Sequence, residues 1–234
     1  MEKIGLSNEK NRNQWLEKTL KELNPNSKIL DAGAGELKYK KFCSHLEYIS
    51  QDFCQYNGTG DQKGLQTKNW DDSKVDIVSD IINIPVDNES FDAIMCIEVL
   101  EHLPYPIDAI KEFNRILKSQ GVLIITAPFC SMTHFSPFHF YTGYNKYWYN
   151  QILLENGFEI KEITANGNYF EYIAQELLRL PSIAKKYANV NKFINKFFSI
   201  FIKLSLSYLR YCNKKNNGSE ELLNFGYQVI AIKK

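Results

Sequence analysis

With 234 residues, 44% of them hydrophobic, the chain has enough apolar material for one large domain with a full core and some decoration. Lys and Arg number 28 against 27 Asp and Glu, a net charge of +1, which excludes a global positive field for nucleic acid and leaves only local patches. The five cysteines are odd in number and form no CxxC pair, so they exclude a disulfide framework or a zinc knuckle and fit a reducing compartment.

Met1-Glu2-Lys3-Ile4-Gly5 contains no apolar run of the signal-peptide kind, and a cytoplasmic location is expected. In residues 11–23, Trp15, Leu16, Thr19, Leu20 and Leu23 recur at helical spacing before Asn24-Pro25-Asn26, which predicts an amphipathic helix packed on a sheet. Next, Ile29 and Leu30 run into Asp31, glycines follow at positions 33 and 35, and residues 36–44 are charged and helix-favouring. This is the pattern of a buried strand ending in a tight turn that opens a helix. Glycine there permits positive φ and close approach of a ligand, and the helix start offers unpaired N–H groups.

Alone, such a pattern is as readily a plain turn as a nucleotide pocket. The next strand-like run, residues 47–53, ends in Asp52, and an acid about 20 residues beyond a glycine turn accepts the hydroxyls of a ribose. Residues 54–74 form a polar stretch with Gly58, Gly60 and Gly64, long enough to be either functional or mobile. A third strand spans residues 75–81. At its end Asp80 is suited to an adenine amino group with Ile81 against the ring face, or else it caps a turn.

The run 91–97 is nearly all apolar, as a strand buried on both faces requires, and Glu98-Val99-Leu100-Glu101-His102-Leu103-Pro104 follows it. A helix over 107–117, a stop at Ser119-Gln120-Gly121 and a fifth strand over 122–128 complete a doubly wound parallel sheet. Gly33, Asp52, Asp80 and Glu98 then all fall at the carboxyl ends of strands, where such sheets bind ligands. Residues 129–149 leave that same edge and are strongly aromatic, which predicts a lid whose His134, His139 and Tyr141 are candidates to touch a substrate.

A helix over 147–155 with Asn156-Gly157 as its cap, a strand over 158–163, and a helix from about Asn166 to Leu180 stopped by Pro181 come next. In residues 189–211, Ile194, Phe197, Phe198, Phe201, Leu204, Tyr208 and Leu209 share one helical face, and Lys192, Lys196, Ser199, Lys203, Ser207 and Arg210 line another. Its charges are too frequent for a membrane span. The segment either lies on an anionic membrane or a lipid-linked substrate, or packs on the body or in a homodimer interface.

In order, ILDAGAGE, the acid of YISQDF, SDIINIPVDNESFDAIMCIEVLEHL and RILKSQGVLIITAPF resemble the successive motifs of class I S-adenosylmethionine-dependent methyltransferases, in the subgroup with an EVLEHL-type motif. The likeness is strong over 29–129 and weaker through Asn156-Gly157-Phe158 and residues 226–231. It implies an α/β fold: a doubly wound, Rossmann-like seven-stranded sheet with one antiparallel strand, flanked by helices, with an aromatic lid and a C-terminal helical addition. It further implies a single domain over 1–234, with a core of about 26–165 plus a strand at 224–232 and a helical insertion at about 168–215. The implied cofactor is S-adenosyl-L-methionine, leaving as S-adenosyl-L-homocysteine, held by Asp31, Ala32, Gly33, Gly35, Asp52, Phe53, Asp80, Ile81, Ile97 and Glu98. One departure is Leu37, where a third glycine is often seen. It tightens the room at the cofactor, and it disfavours a dinucleotide-dependent dehydrogenase, which wants glycine there.

Displacement at a sulfonium needs an in-line acceptor and, for an oxygen or nitrogen acceptor, often a base. Glu98 is suited to face the cofactor or acceptor. His102 is the candidate base, since a neutral imidazole takes a proton near pH 7, unless it makes a structural hydrogen bond. His134, His139 and Tyr141 complete the candidate catalytic set. Glu98, Glu101 and His102 also form an ExxEH cluster with oxygen and nitrogen ligands. Some similar enzymes, including ubiquinone-pathway and small-RNA 3′-end 2′-O-methyltransferases, use such a cluster for a metal, and many do not; no metal is favoured. The favoured acceptor is a small molecule, a sugar, nucleotide sugar or glycan, because the chain is similar to bacterial polysaccharide-pathway methyltransferases with aromatic C-terminal additions. A metal-assisted RNA 2′-O-methyltransferase and a non-catalytic cofactor-binding subunit are the alternatives. The near-zero charge disfavours a nucleic-acid partner, and a location at the inner face of the membrane follows only if 189–211 meets lipid.

Overall fold

The computed structural model describes residues 4–234, so the reading of the first segment falls largely on residues 1–3, outside the described residues. The described residues divide into two compact units, one of residues 15–164 with 226–234 and the other of residues 4–14 with 165–225.

The larger unit is built on β1 (Lys28–Ala32), β2 (Glu47–Asp52), β3 (Ile77–Val78), β4 (Phe91–Ile97), β5 (Leu117–Pro128), β6 (Phe158–Asn166) and β7 (Gly226–Lys233). They form one seven-stranded sheet in the order β3-β2-β1-β4-β5-β7-β6. The pairs β1/β2, β1/β4, β2/β3 and β4/β5 are parallel, and β7 runs antiparallel to β5. Strand order reverses between β1 and β4, and the crevice at their carboxyl ends is where a ligand enters a sheet of this kind.

The apolar runs account for the strands. Ile29, Leu30, Ala93, Ile94, Met95 and Cys96 are fully buried, so the central strands are covered on both faces. On one face Ile29, Ala93, Met95, Ile97 and Ile124 pack with Leu16 and Leu20 of α1 (Asn8–Lys21) and with Tyr39 and Cys43. The return from β4 to β5 is made by α2 (Pro106–Ile116), which opens on a proline and buries Ala109, Ile110, Phe113 and Ile116. Burying each large side chain contributes about 1.5–3 kcal/mol. The helix α3 (Lys146–Glu155) starts at Asn145, whose side chain accepts from the Trp148 N–H.

Three local expectations are corrected. Residues 36–44 form turns and a single 3₁₀ turn, Lys40–Phe42, because Leu37 has a φ of 58° that no α-helix accommodates. The residue standing where glycine is often found thus keeps a glycine-like backbone. The third strand shrinks to two residues. Ser119-Gln120-Gly121 does not end a helix before the fifth strand; it lies inside β5 as an irregularity where the pairing passes from Phe91/Leu117 to Ala93/Val122 and Gln120 has a φ of 64°.

The smaller unit holds α4 (Tyr169–Tyr187) and α5 (Lys192–Lys214). Asn168 caps α4 by accepting from the Phe170 and Glu171 N–H groups, and Asn191 caps α5 through the Ile194 N–H. The expected stop at Pro181 is overridden, and α4 runs through it. Proline sacrifices one backbone bond but keeps its carbonyl, which accepts from Asn195 Nδ2 of α5 at 3.2 Å. Near the chain start, Asn166 Nδ2 donates to the Asn8 carbonyl and Ser7 Oγ to Glu171 Oε1. Among the described residues no helix is long and apolar enough to cross a membrane.

Candidate functional site

The turn after β1 has the conformation its glycines allow: φ is 77° at Gly33 and 49° at Gly35. A Cβ at Gly33 would come within 2.5 Å of the Val99 side chain, just beyond β4, and one at Gly35 within 2.5 Å of the Trp70 ring. The turn is thus sterically committed to glycine at both positions. Gly33 and Ala34 donate their N–H groups to the Gln51 carbonyl, tying the turn to β2.

Asp52 closes this side. Its Oδ2 accepts from the Gly35 N–H and its Oδ1 from the Cys54 N–H, both at 2.9 Å. Burial raises its pKa, opposed by hydrogen bonds from the Cys54, Gly35 and Phe53 N–H groups. A carboxylate has about four lone-pair positions, so some acceptor capacity remains beyond these backbone donors. Asp31, almost fully buried, accepts from Tyr48 Oη at 2.7 Å; burial, with a further push from Asp52, takes its carboxyl up to about 7. Ala32 and Ile97 are buried strand ends beside the turn, and Ile81 is buried beyond β3. Asp80 is exposed, and its Oδ1 accepts from the Ile82 N–H at 3.2 Å, the turn-capping arrangement. Glu98 has a φ of 58°, a strained conformation for a residue with a side chain, and its Oε1 accepts from Thr126 Oγ1 at 2.9 Å.

The long polar segment 54–74 is fitted against the aromatic segment that follows β5. Leu65 N–H donates to the Thr133 carbonyl and Phe135 N–H to the Leu65 carbonyl, while Asp61 N–H donates to the Ser136 carbonyl. A Cβ at Gly60 would lie 1.9 Å from the Ser136 oxygen and one at Gly64 2.5 Å from that of Thr133, so those glycines exist for this contact. An aromatic run spans the two segments. Trp70 lies on Gly35 and 5.4 Å from Phe135; Phe135 stacks on Tyr56 at 4.7 Å and on His102 at 5.1 Å. Phe53 meets Phe138 edge-on at 4.9 Å. Tyr56, Trp70 and Phe135 were not singled out from sequence; the glycines and aromatics of both segments were the available signal, without their pairing.

This packing gathers the histidines. The rings of His102 and His134 lie 4.6 Å apart, and those of His134 and His139 4.8 Å apart. His102 Nδ1 faces the Phe138 carbonyl and His134 Nδ1 the Met132 carbonyl, so both Nδ1 atoms carry a hydrogen. Those two Nε2 atoms lie 3.7 and 3.9 Å from Oε1 of the buried Glu101. Burial, then the neighbouring His134, drives the His102 pKa down to about 3, so it is neutral as expected but a much weaker base. Burial and His134 also lower His139, which pairs with Ser131 Oγ. Ligand atoms of Glu101, His102 and His134 lie within 4.8 Å of one another; Glu98 is outside this group. Tyr141 is not part of the cluster: its Oη donates to the Pro104 carbonyl and its ring meets Tyr144.

Residues 30–125 match the family model described as a methyltransferase domain. Over 110 residues, 45% of this chain and 22% of the relative, it is 34% identical to the Homo sapiens protein named "Probable tRNA methyltransferase 9B". The chain spans about a fifth of the length of the curated relatives it matches. Among solved structures, a SAM dependent methyltransferase from Archaeoglobus fulgidus superposes with a TM-score of 0.56 at 19% identity, over 97% of this chain and 98% of that one. Phosphoethanolamine N-methyltransferase 2 of Haemonchus contortus, in complex with S-adenosyl-L-methionine, gives 0.53 at 16% identity, over 96% and 52%. At these identities the structural likeness shows the fold.

Proposed function

We propose that this chain methylates an oxygen or nitrogen of a small cytoplasmic acceptor, a sugar, nucleotide sugar or glycan. The observation that carries the reading is the histidine cluster, floored by aromatic rings and built over the same sheet edge as the glycine turn. S-adenosylmethionine supplies the transferable methyl group when bound. Gly33 and Gly35 admit it, Asp52 takes the ribose hydroxyls, and Ile81 offers an apolar surface to the base. Phe135 and its neighbours provide flat faces on which a sugar stacks. His134 Nε2, beside the Glu101 carboxylate, is the atom that takes the acceptor proton, and the carboxylate stabilises the resulting imidazolium. His102, with low proton affinity, orients the acceptor through its Nε2 lone pair. The surface-glycan assignment draws on the likeness of the EVLEHL-type motif and the aromatic C-terminal addition.

The test is calorimetric titration with S-adenosylhomocysteine and with NAD, for wild type and Asp52→Ala, followed by a screen of nucleotide sugars for S-adenosylhomocysteine release. Saturable binding of the homocysteine compound alone, weakened on the order of a hundredfold by the substitution, is expected. A folded wild type that does not bind it overturns the reading, and product formation excludes a purely cofactor-binding subunit.

A second reading, metal-assisted methylation of RNA, is favoured by the convergence of Glu101, His102 and His134 on one point. Transfer to a small RNA that requires added Mg²⁺ or Mn²⁺, and is lost in Glu101→Gln, would establish it. Sugar methylation that withstands a chelator would eliminate it.

A further inference from the structure

We propose that the outer side of α5 docks flat on an anionic membrane surface. The helix is held from one side: Asn195 and Asn213 bond to Pro181 and Asn168, and Ile202, Leu206 and Leu209 are half-buried along the same flank. The opposite side is apolar and exposed. Phe193 is 85% accessible, Phe197 59%, Phe201 52%, Leu204 64% and Tyr208 67%. Isolated apolar residues on a surface are ordinary, but a contiguous apolar row of this length marks an interaction face.

Charge identifies the occupant. Between Glu176 and Glu220 there are nine Lys and Arg and not one Asp or Glu. The remainder of the chain therefore holds 19 cations (28 − 9) against 27 acids, a net −8, and the near-zero total conceals a segregated basic segment. On α5, Lys192, Lys196, Lys203 and Arg210 each directly precede one of Phe193, Phe197, Leu204 and Tyr211, so the cationic row runs alongside the apolar one. A phospholipid surface takes both rows at once: rings enter the acyl boundary and cations meet phosphates. A second copy of the helix would bring the same uncompensated cations together, and RNA would leave the aliphatic side chains unburied. Since no described helix is long and apolar enough to cross, the contact is peripheral.

The test uses the full chain and flotation with vesicles of phosphatidylcholine alone or mixed with phosphatidylglycerol, at low and high salt. Wild type is expected on the mixed vesicles only, and to be released by salt. Lys196→Gln with Lys203→Gln weakens binding about thirtyfold, and Phe197→Ser with Leu204→Ser about tenfold. These positions are exposed, so circular dichroism and S-adenosylhomocysteine binding are expected to stay at wild-type values in both variants. Absence of binding to the mixed vesicles overturns the proposal, as does binding indifferent to the Phe197/Leu204 pair. So does an RNA oligonucleotide that binds in preference to vesicles, or a dimer that this pair dissociates.

Discussion

Asp52 and His134 stand at the same edge of one sheet and are held there in opposite ways. Asp52 ends a strand paired in register with its neighbours, and its carboxylate is fixed by N–H groups of Gly35 and Cys54, within 17 residues along the chain. His134 belongs to no strand of the sheet. It is held by its own segment's Met132 carbonyl and by an isolated bridge to Leu65, in a segment that itself has no regular structure. The half that holds the glycine turn is set by backbone register. The histidine half is set by two loops that fix each other, so disturbing one displaces both.

The largest expected effect contrasts the buried acid of one half with the buried imidazole of the other. Asp31 has a raised pKa of about 7, so the folded state holds a proton that the unfolded state releases near 4, and stability falls as pH rises from about 4 to 7. His102 has a lowered pKa of about 3, so the unfolded state takes up a proton first, and stability falls as pH drops from about 6.5 towards 3. Each contributes on the order of 4 kcal/mol, with opposite slopes. Urea unfolding in chelating buffer between pH 4 and 7, each variant compared with wild type, separates the two slopes. Relative to wild type, Asp31→Asn turns the slope towards a rise with pH and His102→Gln towards a fall; slopes unchanged in both variants would refute the opposition.

Gly33→Ala is expected to act next most strongly. It forces a Cβ into Val99 and onto a backbone with φ of 77°, at a cost of about 3 kcal/mol, read as a loss of S-adenosylhomocysteine affinity on the order of a hundredfold. Wild-type affinity in this variant would mean that the turn is not the cofactor's seat.

The same division decides what could be read without coordinates. Strand ends announce themselves: the runs into Asp31, Asp52 and Glu98 placed these residues at one edge because a parallel sheet leaves them nowhere else. The seven strands and the antiparallel β7 were expected through family likeness rather than periodicity, and the order of the strands was not read. The partnership of Gly60 with Ser136 and of Gly64 with Thr133 was not legible, since two loops distant in sequence carry no period that says they touch. Trp70 and Phe135 were missed for that reason, and His134 was noticed without its relation to Glu101. Pro181 misled because the rule for an isolated helix ignores the neighbour that α5 provides. Leu37 misled in the opposite sense, its side chain hiding a backbone conformation usually given to glycine.

His134→Ala tests the histidine half alone. A general base is worth about a hundredfold or more, so the rate with a hydroxyl acceptor is expected to fall by that order while cofactor affinity stays within about twofold. A parallel loss of both would mean that the two halves are not separable at this residue.

Trp70→Ala is the smaller change that probes their junction. Trp70 lies on Gly35 of the glycine turn and meets Phe135 on the histidine side, and Phe135 stacks on His102. Removing the ring leaves the strand ends intact but releases the loop pair from the glycine turn. Both cofactor affinity and turnover are therefore expected to drop, each about tenfold, and titration and rate on one preparation measure them together. If only turnover falls, the loops position the acceptor without bearing on the cofactor. If only affinity falls, Trp70 is a wall of the cofactor site, and the histidines owe their arrangement to the backbone bridge between Leu65 and His134.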